Sequence, residues 1–321
     1  MIYRDENQGI IKINLKDFDY DFIEHNKTLS LNYIKKAPIL RNIVQHKKKY
    51  PVDVGICITW NLAYVVFCYY TLIDFLRKTD LRHVNKVKIF CDDICYGAAL
   101  NLLKPLCSDL IEVYRFPRID VKYREEIGYH SFDHLNKYFI TTLDEFKKEE
   151  KNVILDADVF VNAKSVPVFS KAYNLGKNEC MVFDTGWGMD TFIQRKNGLA
   201  KRFRTLSSYI SFFENYGLPL ENLFKLKKWY CSSIFSYDVE HMITKQWEYF
   251  VHYCNSHEIQ CDETVFFVWG TNNNFKYIST EDYIGVPASF EVLEYKSPMF
   301  VSPHPHVDYA SFYAQIMKNI P

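Results

Sequence analysis

The sequence predicts an α/β fold with a mainly parallel, twisted sheet flanked by helices. Between residues 52 and 116, three short apolar segments typical of strands alternate with two segments of helical length. This βαβαβ order implies right-handed crossovers, and sheets built this way bind ligands at the carboxyl ends of their strands. A further apolar strand at 153–155 is followed directly by two aspartates, so polar residues again follow a strand end.

The pattern of apolar residues predicts the individual elements. Alternating β-branched residues predict a strand over 52–60, and Asn61 is a favourable N-cap for a helix over 62–79. Ser131 or Asp133 caps a later predicted helix. The remaining predicted elements are strands at 86–92 and 110–116 and helices at 97–106 and 132–148.

Composition and charge exclude several classes of protein. With 48% hydrophobic and 24% charged residues, the chain is globular and is not disordered, collagen-like or a coiled coil. Basic and acidic side chains number 39 each, so no bulk charge attracts nucleic acid or an anionic membrane. Any anionic ligand must be bound by a local arrangement of side chains. Residues 1–50 are polar with weak periodicity, and we interpret them as an N-terminal extension packed on one domain of residues 51–321.

Cysteine usage and the apolar runs indicate a cytoplasmic protein. The nine cysteines are scattered without a Cys-x-x-Cys pair or a zinc-like cluster, which favours reduced thiols. The first residues carry charges before any apolar stretch, unlike a signal peptide. Residues 54–73 contain no charge over a length that could span a bilayer. Their pattern instead predicts a buried strand followed by a buried helix, and we expect no integral membrane segment.

The most informative stretch is KNVILDADVFV, residues 151–161. Its apolar residues 153–155 form a predicted buried strand that ends at Asp156 and Asp158. Carboxylates two residues apart in an extended segment repel each other, and a bound divalent cation removes that penalty by taking their oxygens as ligands. A turn in which one aspartate caps a backbone amide is the alternative. The strand context favours a metal site at these two aspartates.

The loop after the first strand excludes two common nucleotide-binding classes. It follows the strand as TWNLAY, starting at Thr59, and contains neither the Gly-x-Gly-x-x-Gly of dinucleotide-binding enzymes nor a P-loop. A nucleotide bound at this edge must therefore be held by other side chains.

Ordered elements between residues 52 and 161 carry a family resemblance. A Thr-x-Asn-x-x-Tyr element follows the first strand, and acidic residues follow the second. Lys137 lies on the predicted helix before the strand that ends at the Asp-x-Asp motif. These elements resemble the metal-dependent glycosyltransferases of the GT-A fold, closest in motif order to the glycogenin-like family 8. The resemblance implies a single GT-A-like domain with these donor-binding residues: Thr59, Trp60, Asn61, Tyr64, Asp92, Asp93, Lys137 and Ala157.

Three later elements extend the resemblance, although the chain departs from the family pattern within them. Where the family has Gly in the strand lining the sugar pocket, the chain has Ser, and where it has Gln at the start of a later helix, the chain has Glu. The Gly-x-x-Lys-Pro-Trp that usually follows the C-terminal histidine is absent. The residues implied are Ser232 and Ser233 for donor binding, Asp262 and Glu263 for catalysis, and His304 or His306 as a metal ligand.

The resemblance implies transfer of a hexosyl or pentosyl group from a nucleotide-sugar donor, with UDP expected, to a hydroxyl acceptor. Mn²⁺ or Mg²⁺ at the Asp-x-Asp motif would neutralise the diphosphate leaving group. Carboxylate oxygens with a histidine nitrogen suit Mn²⁺ better. Asp262 and Glu263 would supply a general base if the reaction inverts the anomeric centre, or orient the donor sugar if it retains it. A pair that only caps a helix is the structural alternative.

Other functions remain open at this point. A sugar nucleotidyltransferase has a related architecture but usually begins with a Gly-rich basic loop, which this chain lacks. A catalytically silent GT-A-fold binding protein is a second alternative. The acceptor could be a glycan, a protein or a nucleic acid. Basic runs interleaved with aromatics at 195–204 and 225–229 fit nucleic acid, although such runs also form solvated helix faces.

Overall fold

The structure is a computed structural model that describes the following residues: 2–5, 10–13, 50–59, 62–116, 136–146, 151–161, 166–188, 214, 219–225, 228–237, 274–280, 283–285 and 300–302. The strands are β1 Ile2–Asp5, β2 Ile10–Ile13, β3 Val52–Ile58, β4 Val84–Cys91, β5 Ile111–Arg115, β6 Asn152–Leu155, β7 Phe160–Val161, β8 Glu179–Gly188, β9 Lys228–Tyr237, β10 Lys276–Thr280, β11 Tyr283–Gly285 and β12 Phe300–Ser302. The α-helices are α1 Leu62–Lys78, α2 Asp93–Leu102, α3 Val166–Tyr173 and α4 Leu220–Lys225, with a further helical turn at 136–139.

Seven strands form the main sheet, in the order β10-β8-β9-β6-β3-β4-β5. Pairing is parallel between β3 and β4, between β4 and β5, and between β10 and β8, whereas β8 and β9 are antiparallel. β11, β12 and β7 form a three-stranded sheet, and β1 and β2 form an antiparallel hairpin. This mixed sheet with its helices confirms the predicted fold class.

The predicted βαβαβ segment is confirmed, with shifts at its boundaries. β3 and α1 lie where the apolar pattern predicted them, and the charge-free stretch 54–73 is divided between them. The start of α2 was predicted at 97 but lies at Asp93. The reason is a cap, because the Asp92 carboxylate accepts a hydrogen bond from the Cys95 amide at 3.0 Å and so fixes the first turn.

The helix predicted over 132–148 is shorter in the part of it that the structure describes. Regular helix covers 136–139, and a 3₁₀ turn follows at Ile140–Thr142. The Thr141 hydroxyl donates to the Tyr138 carbonyl at 2.6 Å, and the Leu143 amide donates to the Ile140 carbonyl at 3.2 Å, which is the bonding of a 3₁₀ turn. The proposed caps Ser131 and Asp133 lie outside the described residues.

Two compact units can be distinguished, and each is assembled from separate stretches of sequence. Unit 1 comprises Met1–Arg118, Leu155–Tyr173 and Asp282–Pro321. Unit 2 comprises Ile119–Ile154 and Asn174–Glu281. The boundary predicted at residue 51 remains a prediction.

The core of unit 1 includes one face of β3, β4 and β5. Val54, Val87 and Ile111 stand side by side in the register of these parallel strands, and all three are buried. Helix α2 lies against β4, β5 and α1. Phe75 of α1 meets Phe169 of α3 edge to face, with ring centroids 6.4 Å apart. Apolar burial on this scale supplies the main driving force for folding.

Unit 2 is organised around the long antiparallel pair of β8 and β9. The ring of Phe235 on β9 packs against Tyr138, with centroids 5.1 Å apart. The Ser236 hydroxyl of β9 donates to the carbonyl of Asn152 in β6. An aromatic contact and a buried hydrogen bond therefore fix β9 to its neighbours within this unit.

A buried ion pair crosses from β3 to β4 in unit 1. Lys88 Nζ lies 2.6 Å from Asp53 Oδ2, and both side chains are almost fully buried. The Asn85 amide donates to the second Asp53 oxygen at 2.9 Å. Removing one partner would leave a buried charge without its counter-charge, which is far more costly than losing a surface pair.

We expect Lys88→Met to lower the free energy of unfolding by about 3–5 kcal/mol, because Asp53 is left charged and buried. Urea denaturation followed by circular dichroism measures the change. Lys276→Met is the matched control, since the Lys276 ammonium is exposed and lies 3.0 Å from Glu179. That substitution should cost less than about 1 kcal/mol. Equal losses for the two variants would contradict the assignment of Asp53 and Lys88 as a buried pair.

Two further sequence predictions concern the cysteines and the membrane. Six cysteines are free thiols, as the sequence predicted: Cys57, Cys68, Cys91, Cys95, Cys107 and Cys180. No helix in the described part of the chain is long and apolar enough to cross a bilayer.

Candidate functional site

The carboxyl ends of β3, β4 and β5 lie level with one another in unit 1. Ile58, Cys91 and Arg115 are register partners in neighbouring strands. The Asp92 amide donates to the Ile58 carbonyl at 3.4 Å, and the Phe116 amide donates to the Cys91 carbonyl at 3.1 Å, so the bonding continues to the strand ends. Side chains that follow these strands therefore lie along one edge, the edge at which parallel sheets bind ligands.

The Asp-x-Asp motif forms a turn in unit 1. β6 ends at buried Leu155, and the Val159 amide donates to the Asp156 carbonyl at 3.3 Å to close the turn before β7. Asp156 and Asp158 are half-buried and Ala157 is buried. The motif therefore lies in a turn closed by a backbone hydrogen bond, and both aspartates remain partly open to solvent.

Two buried thiols lie close to acidic residues of this edge. Burial raises the pKa of the Cys68 thiol on α1, and the negative charge of Asp158 raises it further. Burial likewise raises the pKa of the Cys91 thiol, with smaller contributions from Cys68 and Asp92. Both effects keep the thiols protonated and inert. They also show that Asp158 is within electrostatic range of α1.

The two aspartates after β4 differ in environment. Asp92 is buried, and its side chain caps α2 through the Cys95 amide. Asp93 is exposed and forms an ion pair with Arg115, whose Nε donates to a carboxylate oxygen. The sequence did not single out Arg115. Its position as the last residue of the strand next to β4 was the signal that could have identified it.

The residues predicted after β3 are described in part. Thr59 is buried directly after the strand. Tyr64 is half-buried on α1, and its ring meets Phe67 edge to face with centroids 5.6 Å apart. Trp60 and Asn61 lie outside the described residues. Thr59 and Tyr64 are therefore in the same unit as the Asp-x-Asp turn.

Three predicted donor-binding residues lie in unit 2. Lys137 is buried on the helical turn 136–139, with Nζ 5.4 Å from the centroid of the Tyr138 ring. Ser232 and Ser233 are buried on β9 at a register shift, because Val182 pairs with Phe235 while the next β8 residue pairs with Cys231. Bulges of this kind are frequent next to active sites, since they change the direction of side chains.

β12 runs antiparallel to the strand that follows the Asp-x-Asp turn. Phe300 pairs with Val161 and Val301 pairs with Phe160. The two strands therefore run in opposite directions. The end of β12 lies beside the start of β7, which is the end of β7 nearer to Asp158. His304 and His306 come after Ser302 and lie outside the described residues, as do Asp262 and Glu263.

The comparisons with known proteins identify the fold. No protein-family model and no curated protein sequence matches the chain. Among solved structures, the bifunctional glycosyltransferase WbbM has a TM-score of 0.55 at 15% identity, covering 84% of this chain and 49% of that chain. An active-site mutant of LgtC has a TM-score of 0.53 at 12% identity, covering 83% of this chain and 95% of that chain. The galactosyltransferase LgtC with donor and acceptor sugar analogs has a TM-score of 0.50 at 11% identity, covering 84% and 95%. The chain has the GT-A fold of glycosyltransferases.

We expect Cys68 and Cys91 to resist alkylation in the folded protein, because burial suppresses thiolate formation and access. Iodoacetamide labelling at pH 8.5, with and without urea, followed by peptide mass spectrometry measures the rates. Both residues should react at least about 100-fold more slowly when folded. Half-buried Cys107 serves as the comparison and should be protected less. Labelling of Cys68 in the folded protein at the rate measured in urea would contradict its burial on α1.

Proposed function

We propose that this chain is a metal-dependent glycosyltransferase that moves a sugar from a nucleotide-sugar donor, with UDP as the expected nucleotide, to a hydroxyl acceptor. The GT-A fold is consistent with this activity but does not carry the proposal, because one fold hosts many functions. The proposal rests on the side chains at the carboxyl edge of unit 1 and on the path of β12.

The observation that carries the proposal is the register of β12 against β7. Because the pairing is antiparallel, β12 runs toward the Asp158 end of β7 as it approaches Ser302. His304 is two residues beyond Ser302 and His306 is four, and extended chains of those lengths span at most ~7 and ~14 Å. This short sequence separation from the end of β12 supports the proposal that one histidine completes a ligand set of two carboxylates and one imidazole.

The residues fit a divalent cation. Asp156 and Asp158 are half-buried at the end of a buried strand, and carboxylate oxygens are suitable ligands for Mn²⁺ and Mg²⁺. Within the described ranges, no three His, Cys, Asp or Glu side chains form a metal-binding group. In the proposal the third protein ligand comes from His304 or His306, and its nitrogen favours Mn²⁺.

Each remaining residue then has a proposed task. The cation would neutralise charge on the diphosphate leaving group when bound. Thr59 and Asp93 hold the nucleoside at the ends of β3 and β4. The donor-binding roles of Lys137, Ser232 and Ser233, which belong to unit 2, stay predictions from the sequence. Asp262 and Glu263 either accept the acceptor proton or orient the donor sugar.

We expect Mn²⁺ with UDP to raise the melting temperature of the wild-type protein, because ligands that bind only the folded state stabilise it. Asp156→Asn and Asp158→Asn should lose most of that shift, since each removes a charged ligand of the cation. Differential scanning fluorimetry with Mn²⁺, UDP and both together measures it. Asp109→Asn is the matched control, as Asp109 is exposed in a turn before β5, at the opposite edge of the sheet. An unchanged shift in both motif variants would make the Asp-x-Asp turn purely structural.

A second experiment tests the histidine ligand. We expect either His304→Ala or His306→Ala to weaken Mn²⁺ binding by roughly tenfold or more, because loss of one of three protein ligands removes a metal bond. Isothermal titration with Mn²⁺ in the presence of UDP measures the dissociation constants. If neither variant nor the double variant changes the Mn²⁺ affinity, β12 does not deliver a metal ligand.

A further inference from the structure

A row of aromatic rings lies at the amino edge of unit 1, where the parallel strands begin. Tyr50 lies two residues before β3 and His83 directly before β4, and the first residues of these strands, Val52 and Val84, are register partners. The rings of Tyr50 and His83 are stacked, with centroids 5.7 Å apart and planes at 14°. Tyr173, the last residue of α3, meets the Tyr50 ring with centroids 5.7 Å apart and planes at 58°. We refer to these three ring side chains as the amino-edge row.

The backbone of Tyr50 adopts an unusual conformation. Its φ is 54°, in the left-handed region that residues other than glycine and asparagine rarely adopt. Pro51 follows it, and the residue before a proline is pushed toward extended backbone. Such a conformation persists only where surrounding contacts hold it, and it is frequent at functional sites. At Tyr50 it accompanies the contacts of the ring with His83 and Tyr173.

An ion pair continues the amino-edge row. His83 Nε2 lies 3.7 Å from Asp80 Oδ2, and the 3₁₀ turn Leu81–His83 contacts α3. The Asp80 carboxylate accepts from Nε of Arg82 at 2.9 Å and from Nη2 at 2.6 Å. Nη1 of Arg82 takes no part in this pair, and the Arg82 side chain is 53% exposed. Arg82 can therefore donate a hydrogen bond to a ligand while it keeps its bonds to Asp80.

The exposure and charge of this surface limit what it can bind. Tyr173 is 40% exposed, and in the described part of the chain the other exposed large hydrophobic residue is Ile94, on α2 at the carboxyl edge. The exposed apolar area here is thus far smaller than a protein partner or a lipid surface needs. The charges of Asp80 and Arg82 cancel, so the surface also lacks the net positive charge that nucleic acid requires.

A ligand that complements this surface is small, neutral and ring-shaped, with hydroxyl groups at its rim. The C–H groups of a sugar ring pack on an aromatic ring, and sugar hydroxyls both donate and accept hydrogen bonds. The guanidinium of Arg82 donates, the carboxylate of Asp80 accepts, and tyrosine hydroxyls do both. We propose that Tyr50, Tyr173 and the pair of Asp80 and Arg82 form a second carbohydrate-binding site, which holds a neutral glycan away from the edge where transfer takes place.

This inference rests on the proposed function, because it names the class of acceptor. β3 has seven residues, so the two edges of the sheet are roughly 20 Å apart and one sugar unit cannot reach both. A glycan chain held at the amino edge stays near the carboxyl edge, which raises its effective concentration there. The acceptor that fits is a neutral oligosaccharide or polysaccharide long enough to occupy both edges.

A glycan array probed with the labelled wild-type protein in EDTA tests the second site. EDTA removes the divalent cation that the proposed donor site requires, so binding does not depend on that site. The array carries neutral oligosaccharides of hexose and N-acetylhexosamine units beside sialylated and sulfated ones. We expect binding to neutral members, and isothermal titration with the neutral oligosaccharide that gives the strongest signal supplies the affinity.

Variants locate the bound glycan. Tyr173→Ala should weaken binding about tenfold, because it removes an aromatic ring, whereas Tyr173→Trp keeps a ring and should bind at least as tightly. Arg82→Ala should also weaken binding about tenfold, as for loss of one charge-assisted hydrogen bond. Ile94→Ala is the matched control, since it removes an exposed hydrophobic side chain at the other edge, and it should leave the affinity unchanged.

Three results would each overturn the second site. They are no binding to any neutral glycan, a preference for sialylated or sulfated glycans, and wild-type affinity in both Tyr173→Ala and Arg82→Ala. Failure of the proposed function is distinguishable, because it appears as a missing melting-temperature shift with Mn²⁺ and UDP, which needs no glycan. Urea midpoints within error of the wild type establish that the variants are folded.

Discussion

Two carboxylates in one tight turn are the constraint on which the rest of this site depends. Asp156 and Asp158 directly follow the buried strand β6, and both are half-buried. The formal net charge of the whole chain is zero. In the proposed function, a bound cation relieves the mutual repulsion of these two carboxylates. β7, the strand after the turn, packs against helix α1. The negative charge of Asp158 raises the pKa of the Cys68 thiol on that helix. A metal ion in this place would also supply the positive potential that a diphosphate requires.

Parallel pairing explains why the other polar groups of unit 1 are near one edge. β3, β4 and β5 run in the same direction, so Thr59, Asp93 and Arg115 follow strand ends that lie level with one another. In the three-stranded sheet, β12 pairs antiparallel with β7, the strand after the Asp-x-Asp turn. β12 is thereby paired with residues far from it in sequence.

The sequence predicted what depends on local pattern. The strand and helix of the charge-free stretch were correct, because β-branched alternation and helical length are local signals. The early start of α2 was missed because capping by Asp92 overrides the apolar pattern, and the apolar pattern over 132–148 did not reveal the 3₁₀ turn at Ile140–Thr142. Asp156 and Asp158 were predicted as metal ligands because strand context makes paired aspartates unusual, and that role stays a prediction. Arg115 was missed because its partner Asp93 is distant in sequence and the strand register brings them together, although its place at the end of a predicted strand was an available signal.

The most direct measurement is the location of manganese in crystals grown with Mn²⁺ and UDP. Anomalous difference maps recorded at the manganese absorption edge show the ion independently of the protein phases. The account predicts a single strong peak bonded to carboxylate oxygens of Asp156 and Asp158 and to a ring nitrogen of His304 or His306. A peak bound elsewhere, or bound UDP with no manganese at the Asp-x-Asp turn, would contradict it.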